Sequence, residues 1–404
     1  MTSTAFQTFK TLDAKDKVVL LRADLNVPMK DGEITDTTRL DRIVPTIRAL
    51  QEKGAKIAIL AHFDRPKNRE PEFSLAPIAT KLGRILGEQV AFAKDCVGPV
   101  AKDAIANLKS GQIAILENIR YYPEEENNDA GFTKQLAELG DIYVNDAFSA
   151  SHRAHASIEG LAQLLPAYAG LLMEDELNAL SSGLENPQKP VAAIIGGSKI
   201  STKLSVLDNL VKKVDFLILG GGMQNTFFFA NGIEVGKSLC ERDMVEEARK
   251  IMATAEKHGC KIILPIDRIA VKEFGKGVPF ETVKTEELPA DMEGVDIGPA
   301  TLENLKNILS TCKTVLWNGP MGVFEVKPFD NGTNGLAKIV ADLTSEGKMV
   351  SVAGGGDTVS ALENAGVIDK FTYVSSAGGA FLEWLEGKPL PGVQALMNAA
   401  KKAA

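Results

Sequence analysis

Cysteine is scarce and unpatterned in this chain. Cys96, Cys240, Cys260 and Cys312 are the only four, and they are widely scattered. No CxxC pair and no zinc-ligand spacing exists among them, which excludes a disulfide framework and a cysteine-based zinc site. Each is read as a small buried hydrophobe in a reducing compartment, with the cytoplasm as the expected location. The opening MTSTAFQTFKTLDAKDK has no apolar signal core, and no uninterrupted apolar run approaches membrane-spanning length, so no membrane partner is expected. Positive charge is in the minority. Lys and Arg number 45 against 53 Asp and Glu, a net charge of −8, which argues against a nucleic-acid partner. Any anion site must therefore be a local concentration of cations. His152 and His155 stand close together without a third ligand nearby, which leaves a satisfied histidine or an anion contact and disfavours a metal pair. Two nucleotide fingerprints are also missing. Gly236-Lys237-Ser238 resembles the end of a Walker A loop, but Asn231 stands where the first glycine is needed. Gly220 and Gly222 are followed by Asn225 where the dinucleotide motif requires its third glycine.

What is present has the balance of a folded globular protein, with 45% apolar and 24% charged residues. At 404 residues, two domains are expected. In the first half, apolar strands alternate with helical segments such as Thr38 to Lys53 and Ala76 to Leu86, the pattern of a parallel α/β sheet. The strands beginning at Val18, Lys56, Gln112 and Asp141 run into Arg22, into His62 and Arg65, into Arg120, and into His152 and Arg153. Ligands of open α/β sheets sit beyond the carboxyl ends of the strands. The four arginines, with His62 and His152, are thus expected to converge there, suited to a small carboxylate or phosphate of multiple charge. The acidic run Glu124-Glu125-Glu126 is read as a solvated loop. Ala167 to Leu184 is read as one helix, broken by Asn186 to Pro190, with a domain boundary in this region.

The second half ends its strands in glycine. Gly196-Gly197, Gly220 to Gly222, Gly319, Gly354 to Gly356 and Gly378-Gly379 all follow apolar runs, and such turns offer backbone N–H groups to phosphates. The stretch Val191 to Lys203 is read as a buried strand, a glycine turn and the first turn of a helix. Ser198 or Ser201 would cap that helix, and Lys199 and Lys203 would share one face of it. Asp357, at a helix start after three glycines, is either a cap or a carboxylate for Mg²⁺. Gly387 to Gly392 is a hinge candidate before a terminal helix, Val393 to Lys402.

An anion-binding half and a phosphate-cradling half point to phosphoryl transfer, which requires positioning and charge stabilisation more than covalent chemistry. Lys199, Arg22 and the N–H groups near Gly378 and Gly379 are placed to neutralise a moving phosphoryl group. No well-placed general base stands out, and a carboxylate acceptor, already ionised at pH 7, needs none. A nicotinamide dehydrogenase would also use a parallel α/β domain but would want the missing fingerprint. An exported two-domain anion binder would explain the arginines but neither the lysine pair nor the glycine turns, and it should carry a signal.

Over essentially its whole length the chain resembles the phosphoglycerate kinase family. RADLNVP with Asp36 and Arg39, the HxxRP around His62, LENIRYYPEEE, DAFSASHRAHAS, IIGGSKISTK, LGGGM, WNGPMGVFE, AGGGDT and GKPLPG occur in the family's order. The resemblance implies two Rossmann-like parallel-sheet α/β domains joined by a hinge, with the C-terminal helix returning to the N-terminal domain. Residues 1–172, completed by 393–404, would bind the triose, and residues 173–392 the nucleotide. It implies a monomer that bends at its hinge and transfers a phosphoryl group reversibly between 1,3-bisphosphoglycerate and ADP, giving 3-phosphoglycerate and ATP with Mg²⁺. By that analogy Asp24, Asn26, Arg39, His62, Arg65, Arg120, His152 and Arg153 hold the triose. Arg22, Lys199, Gly378 and Gly379 serve the transferring group. Lys203, Gly294, Asn318, Glu325, Gly355, Gly356, Asp357 and Thr358 hold the nucleotide, with Glu325 on the ribose and Asp357 on the metal. Three positions depart from the family pattern: Asp64, Ser149 and Ala377 each replace a usual glycine. Activity is expected to survive all three.

Overall fold

The apolar runs become strands with helices packed over them. The computed structural model describes residues 6–375 and 377–403. It divides into two compact units, the first running to Asn178 and completed from Pro389 onward, the second spanning Ala179–Lys388.

The first unit holds a six-stranded sheet in the order Val90–Ala93, Ile113–Leu116, Lys56–Leu60, Val18–Ala23, Ile142–Asp146, Ala167–Ala169. Every pairing in it is parallel. Val19, Leu20 and Leu21 have no exposed surface, as expected of strands covered on both faces. The helix Thr38–Glu52 presents Leu40, Ile43, Ile47 and Leu50 to this core at helical spacing. The terminal helix Pro391–Ala403 belongs to the same unit, where the Gly392 N–H donates to the Ser151 carbonyl at 2.9 Å.

The expected helix over Ala167 to Leu184 is corrected at its start. Ala167–Ala169 is the edge strand, paired with Tyr143 to Asn145, and the helix begins only at Leu171. Gly170 separates the two because the Asp146 carboxyl fills its side-chain space, 2.2 Å from where a Cβ would stand. The unit boundary falls after Asn178, later than the expected residue 172. The first turn of the Leu171–Leu180 helix is anchored in the first unit: Leu171 and Leu172 pack on its core, and the Met173 N–H donates to Asp146 at 2.9 Å. The return crossing lies at Lys388/Pro389, earlier than residue 392, because the terminal helix already starts at Pro391.

The second unit holds a parallel six-stranded sheet in the order Lys261–Ile263, Phe216–Leu219, Val191–Ile195, Thr314–Asn318, Val350–Gly354, Tyr373–Ser375. The apolar run before Gly378-Gly379 forms the short edge strand Tyr373–Ser375, and Ser376, like Ala404 of the expected terminal segment, lies outside the described residues. A further antiparallel sheet, Phe280–Lys284, Asp267–Val271 and Glu293–Ile297, had no expectation. Its outer strand FETVK is mostly exposed and polar, so it carries no apolar run. Among the described residues no helix is long and apolar enough to cross a membrane.

Both parallel sheets reverse their winding direction at their first strand. Val18–Ala23 lies between Lys56–Leu60 and Ile142–Asp146, and Val191–Ile195 lies between Phe216–Leu219 and Thr314–Asn318. A doubly wound sheet opens its ligand crevice at the carboxyl end of such a switch point.

Candidate active site

At the switch point of the first unit Arg22 lies almost completely buried, 1% exposed. Its Nε donates to Ser157 Oγ at 2.8 Å, one terminal nitrogen donates to the Ala23 carbonyl, and the other lies 2.9 Å from His62 Nδ1. A guanidinium only donates, so Nδ1 of His62 must accept and the imidazole carries its proton on Nε2. Burial, then the charges of Arg22, Arg120, Arg153 and Arg39, hold the His62 pKa well below its ordinary value. The ring is neutral at physiological pH and keeps one N–H for a ligand.

The counter-charge for Arg22 comes from Glu125. The expected solvated acidic loop is corrected here: Glu125 is wholly buried in the short helix Pro123–Glu126. Its two oxygens accept from the Ser157 N–H at 2.9 Å and the Ser157 hydroxyl at 2.6 Å. Glu126 pairs with Arg120 at 3.3 Å. Three consecutive glutamates look like a solvated patch because composition says nothing about which one turns inward. Burial raises the Glu125 pKa, and Arg22 and Ser157 pull it back.

A second chain of contacts leads outward. Arg39 donates to Asp24 at 2.9 Å and to the Asn26 carbonyl at 2.8 Å. The other Asp24 oxygen accepts from the Ser149 hydroxyl. The Asn26 side-chain oxygen accepts from the Asp64 N–H at 2.9 Å, and the Asp64 carbonyl accepts from Arg120 at 2.6 Å. Arg120, desolvated and beside Arg153, has its pKa lowered to about 10 and remains charged. Arg153 Nε lies 3.3 Å from His152 Nε2. Arg22, Asp24, Asn26, Arg39, His62, Arg120, His152 and Arg153 are thus brought together. Arg65 is exposed and has no hydrogen bond or ion pair among the described residues.

The departures from the family pattern acquire physical reasons. Asp64 sits at φ 51, a left-handed conformation in which glycine is free of strain and aspartate is tolerated. Its side chain is exposed, and among the described residues no ion pair joins it to Arg65 or Lys67. Ser149 supplies a hydroxyl that anchors Asp24. Ala377 has φ −97, which any residue adopts, so the helix Gly378–Leu385 starts without strain.

In the second unit the stretch after Val191–Ile195 differs from expectation. Residues 196–203 form turns, and the helix begins at Leu204, so Lys199 and Lys203 do not share a helical face. Neither Ser198 nor Ser201 caps it. The Ser201 N–H and hydroxyl go to Glu241 at 3.0 and 2.6 Å, and Lys203 occupies the cap position. The backbone approach is tight: a Cβ on Gly196 would stand 1.8 Å from the Pro320 carbonyl oxygen.

Lys203 Nζ donates to Asn318 Oδ1, and Asn318 Nδ2 donates to the Gly354 carbonyl at 2.8 Å. Burial lowers the Lys203 pKa, while the charges of Asp357 and Glu386 raise it. Gly355 takes φ 100, and a Cβ there would lie 2.6 Å from Asn318 Nδ2. The Thr358 hydroxyl accepts from the Gly319 N–H at 2.7 Å, so it closes the turn itself. Lys199 is exposed, and its ammonium makes no hydrogen bond or ion pair among the described residues, although its charge is felt by Glu241.

A cavity of about 470 Å³ opens beside these turns. Gly294, Glu325 and Asp357 line it, with Gly197, Gly221 and Gly222. Gly356 is exposed at the start of the helix Gly356–Asn364, and Gly378 and Gly379 open the helix Gly378–Leu385. Among the described residues no cluster of three or more His, Cys, Asp or Glu could hold a metal alone. Asp357 as a single exposed carboxylate fits Mg²⁺ that is bound chiefly by substrate phosphates and water. Gln224, Asn225 and Arg268, which sequence reasoning passed over, belong to this cavity or its wall. Arg268 carried no strand-end signal, since it lies inside the unforeseen antiparallel sheet.

One unit concentrates fixed cations at its switch point, and the other walls a cavity with glycine beside a lysine. That division of labour is the one expected of a kinase, which relies on positioning and charge stabilisation. A family model described as phosphoglycerate kinase matches residues 9–388. The phosphoglycerate kinase of Sinorhizobium medicae is 56% identical over 395 residues, covering 96% of this chain and 99% of its own length. That of Methylobacterium radiotolerans is 56% identical over 393 residues, covering 96% and 98%. The solved phosphoglycerate kinase of Coxiella burnetii superposes with a TM-score of 0.92 at 41% identity, covering 98% of this chain and 100% of its own. The chain belongs to the phosphoglycerate kinase family. It is accordingly a phosphotransferase of glycolysis whose acceptor is a carboxyl group.

Proposed function

We propose that the first unit binds 3-phosphoglycerate or 1,3-bisphosphoglycerate, that the second binds ADP or ATP with Mg²⁺, and that the protein works as a monomer in the cytoplasm. The observation that carries the reading is the neutral His62 held at 2.9 Å by buried Arg22, among Arg39, Arg120 and Arg153. Fixed cations around a neutral donor suit a small anion that brings its own charge. Asp24, locked by Arg39 and Ser149, and Asn26 supply acceptors for the triose hydroxyl. Arg65, His152 and Arg153 complete the anion contacts.

On the nucleotide side Lys203, Asn318 and the Gly355 to Thr358 turn hold the phosphates, Gly294 leaves room for the base, and Glu325 accepts from the ribose. Mg²⁺, held by Asp357 and the phosphates, supplies charge neutralisation when bound. The acceptor carboxylate is ionised at neutral pH, so no side chain has to remove a proton from it. Arg22 and Lys199 steady the negative charge of the group in transit, with the N–H groups of Gly378 and Gly379. Hinge bending brings the two substrates into contact and excludes water, which limits hydrolysis.

A coupled assay supplying ATP, Mg²⁺ and 3-phosphoglycerate tests the reading. Turnover that needs all three and stops on chelation supports it. Absence of turnover, or nucleotide hydrolysis indifferent to 3-phosphoglycerate, overturns it.

A further inference from the structure

Two carboxamides line the cavity of the second unit, and the protein engages only one of them. Asn225 is fully used: its oxygen accepts from Arg268 at 3.1 Å, and its nitrogen donates to the Leu239 carbonyl at 3.0 Å. Its neighbour Gln224 is 4% exposed, and its enclosed Oε1 has no hydrogen-bond partner. Buried side-chain amides are nearly always paired, so one left open in a cavity wall points to a ligand.

We propose that Gln224 reads the base of the nucleotide, accepting from its exocyclic amine. The inference rests on the assignment of this cavity to ADP or ATP. A phosphate only accepts at neutral pH, so it could engage the amide nitrogen but would leave the enclosed oxygen unpaired. The ribose hydroxyls do donate, but the Glu325 carboxylate on the same cavity is the stronger acceptor for them. That leaves the base, whose flat faces suit the apolar part of the wall formed by Leu239, Val295, Met321 and Val323. The last torsion of a glutamine is soft, so the amide can turn to set its oxygen toward an amine and its nitrogen toward a ring nitrogen. Glutamine makes this two-point match with adenine.

Arg268 supports the arrangement from behind. It is wholly buried, holds Asn225, bonds the Thr285 carbonyl at 2.7 Å, and lies over the Phe228 ring at 4.9 Å. Its Cδ stands 3.1 Å from where a Cβ on Gly294 would be, so the cavity wall at Gly294 rests on it.

Calorimetric titration of the full chain with ATP, with purine riboside triphosphate, which lacks the amine, and with 2′-deoxy-ATP tests the proposal. Wild type is expected to bind ATP about tenfold more tightly than the amine-free analogue, the effect of one well-made hydrogen bond. In Gln224→Met, of similar volume, and in Gln224→Ala, that preference collapses to about one. The Michaelis constant for ATP rises by about the same tenfold factor, while that for 3-phosphoglycerate does not move. Equal wild-type affinity for ATP and the analogue overturns the proposal, as does a preference that survives in both variants. A substitution that alters the ATP to 2′-deoxy-ATP ratio instead assigns Gln224 to the ribose and also overturns it. Failure of wild type to bind any of the three removes the nucleotide reading of the cavity as well.

Discussion

Ser157→Ala tests whether the cation site is held by a single buried hydroxyl. Ser157 has no exposed surface. Its oxygen accepts from Arg22 Nε at 2.8 Å and donates to Glu125 Oε1 at 2.6 Å, which joins two buried charges through one atom. The substitution removes that oxygen and leaves the Ser157 N–H bond to Glu125 in place. Arg22 Nε–H and Glu125 Oε1 both lose this hydrogen-bond partner, and His155 Nδ1, 3.7 Å from Oε1, is too far to replace it. A buried hydrogen bond to a charged group contributes ~1.5–3 kcal/mol, so two losses amount to about 3–6 kcal/mol. Against a total stability of ~5–15 kcal/mol, this is a large share. Both tryptophans, Trp317 and Trp384, lie in the second unit, so urea unfolding should be followed by circular dichroism, which also reports the first. A lowered midpoint for part of the transition is expected, with a raised Michaelis constant for 3-phosphoglycerate as Arg22 and His62 lose their alignment. A stability loss below about 1 kcal/mol would refute the argument that this hydroxyl couples the charges.

Two further outcomes follow from the same geometry. Burial, with Arg120 and Arg153 nearby, holds the His155 pKa down to about 3. Between its unfolded value near 6.5 and about 3 the unfolded chain takes up a proton that the folded chain refuses, so His155 makes stability fall as pH falls through that window. His155→Gln removes this dependence, and its melting temperature should gain on wild type steadily from pH 7 to pH 5. Asp146, raised to about 7 by burial, works in the opposite sense but is common to both proteins and cancels. A gap that stays constant with pH would contradict the assignment. Asp64→Gly should change the Michaelis constant for 3-phosphoglycerate by less than about fivefold, the limit expected for a solvated charge. A fall of tenfold would show that the exposed carboxylate opposes the substrate directly.

The parallel α/β character and the pooling of cations were legible because apolar runs mark buried strands and because ligands collect at strand ends. Arg22, His62, Arg120 and Arg153 carried that signal in their positions alone. Arg39 did not, since it reaches the site from a helix, and only the family motif placed it there. The inward turn of Glu125 is set by Ser157, thirty-two residues on in the chain. Periodicity cannot see such a tertiary hydrogen bond. The edge strand Ala167–Ala169 is too short to be told from the helix that follows. The lysine pair was misplaced for a similar reason: the Glu241 carboxylate takes Ser201 out of capping, and the helix starts later. Gln224 was invisible because an amide becomes informative only once its lack of partners is known.

If cations steady a phosphoryl group passing from nucleotide to carboxylate, Lys199, exposed and without a hydrogen bond or ion pair among the described residues, is the side chain that tests it most directly. Lys199→Ala should be compared with wild type in the coupled assay with ATP, Mg²⁺ and 3-phosphoglycerate. Turnover is expected to fall by about 10²–10³, the loss typical of one electrostatic donor to a transition state, with both Michaelis constants changing far less. Undiminished turnover in the variant would contradict the account.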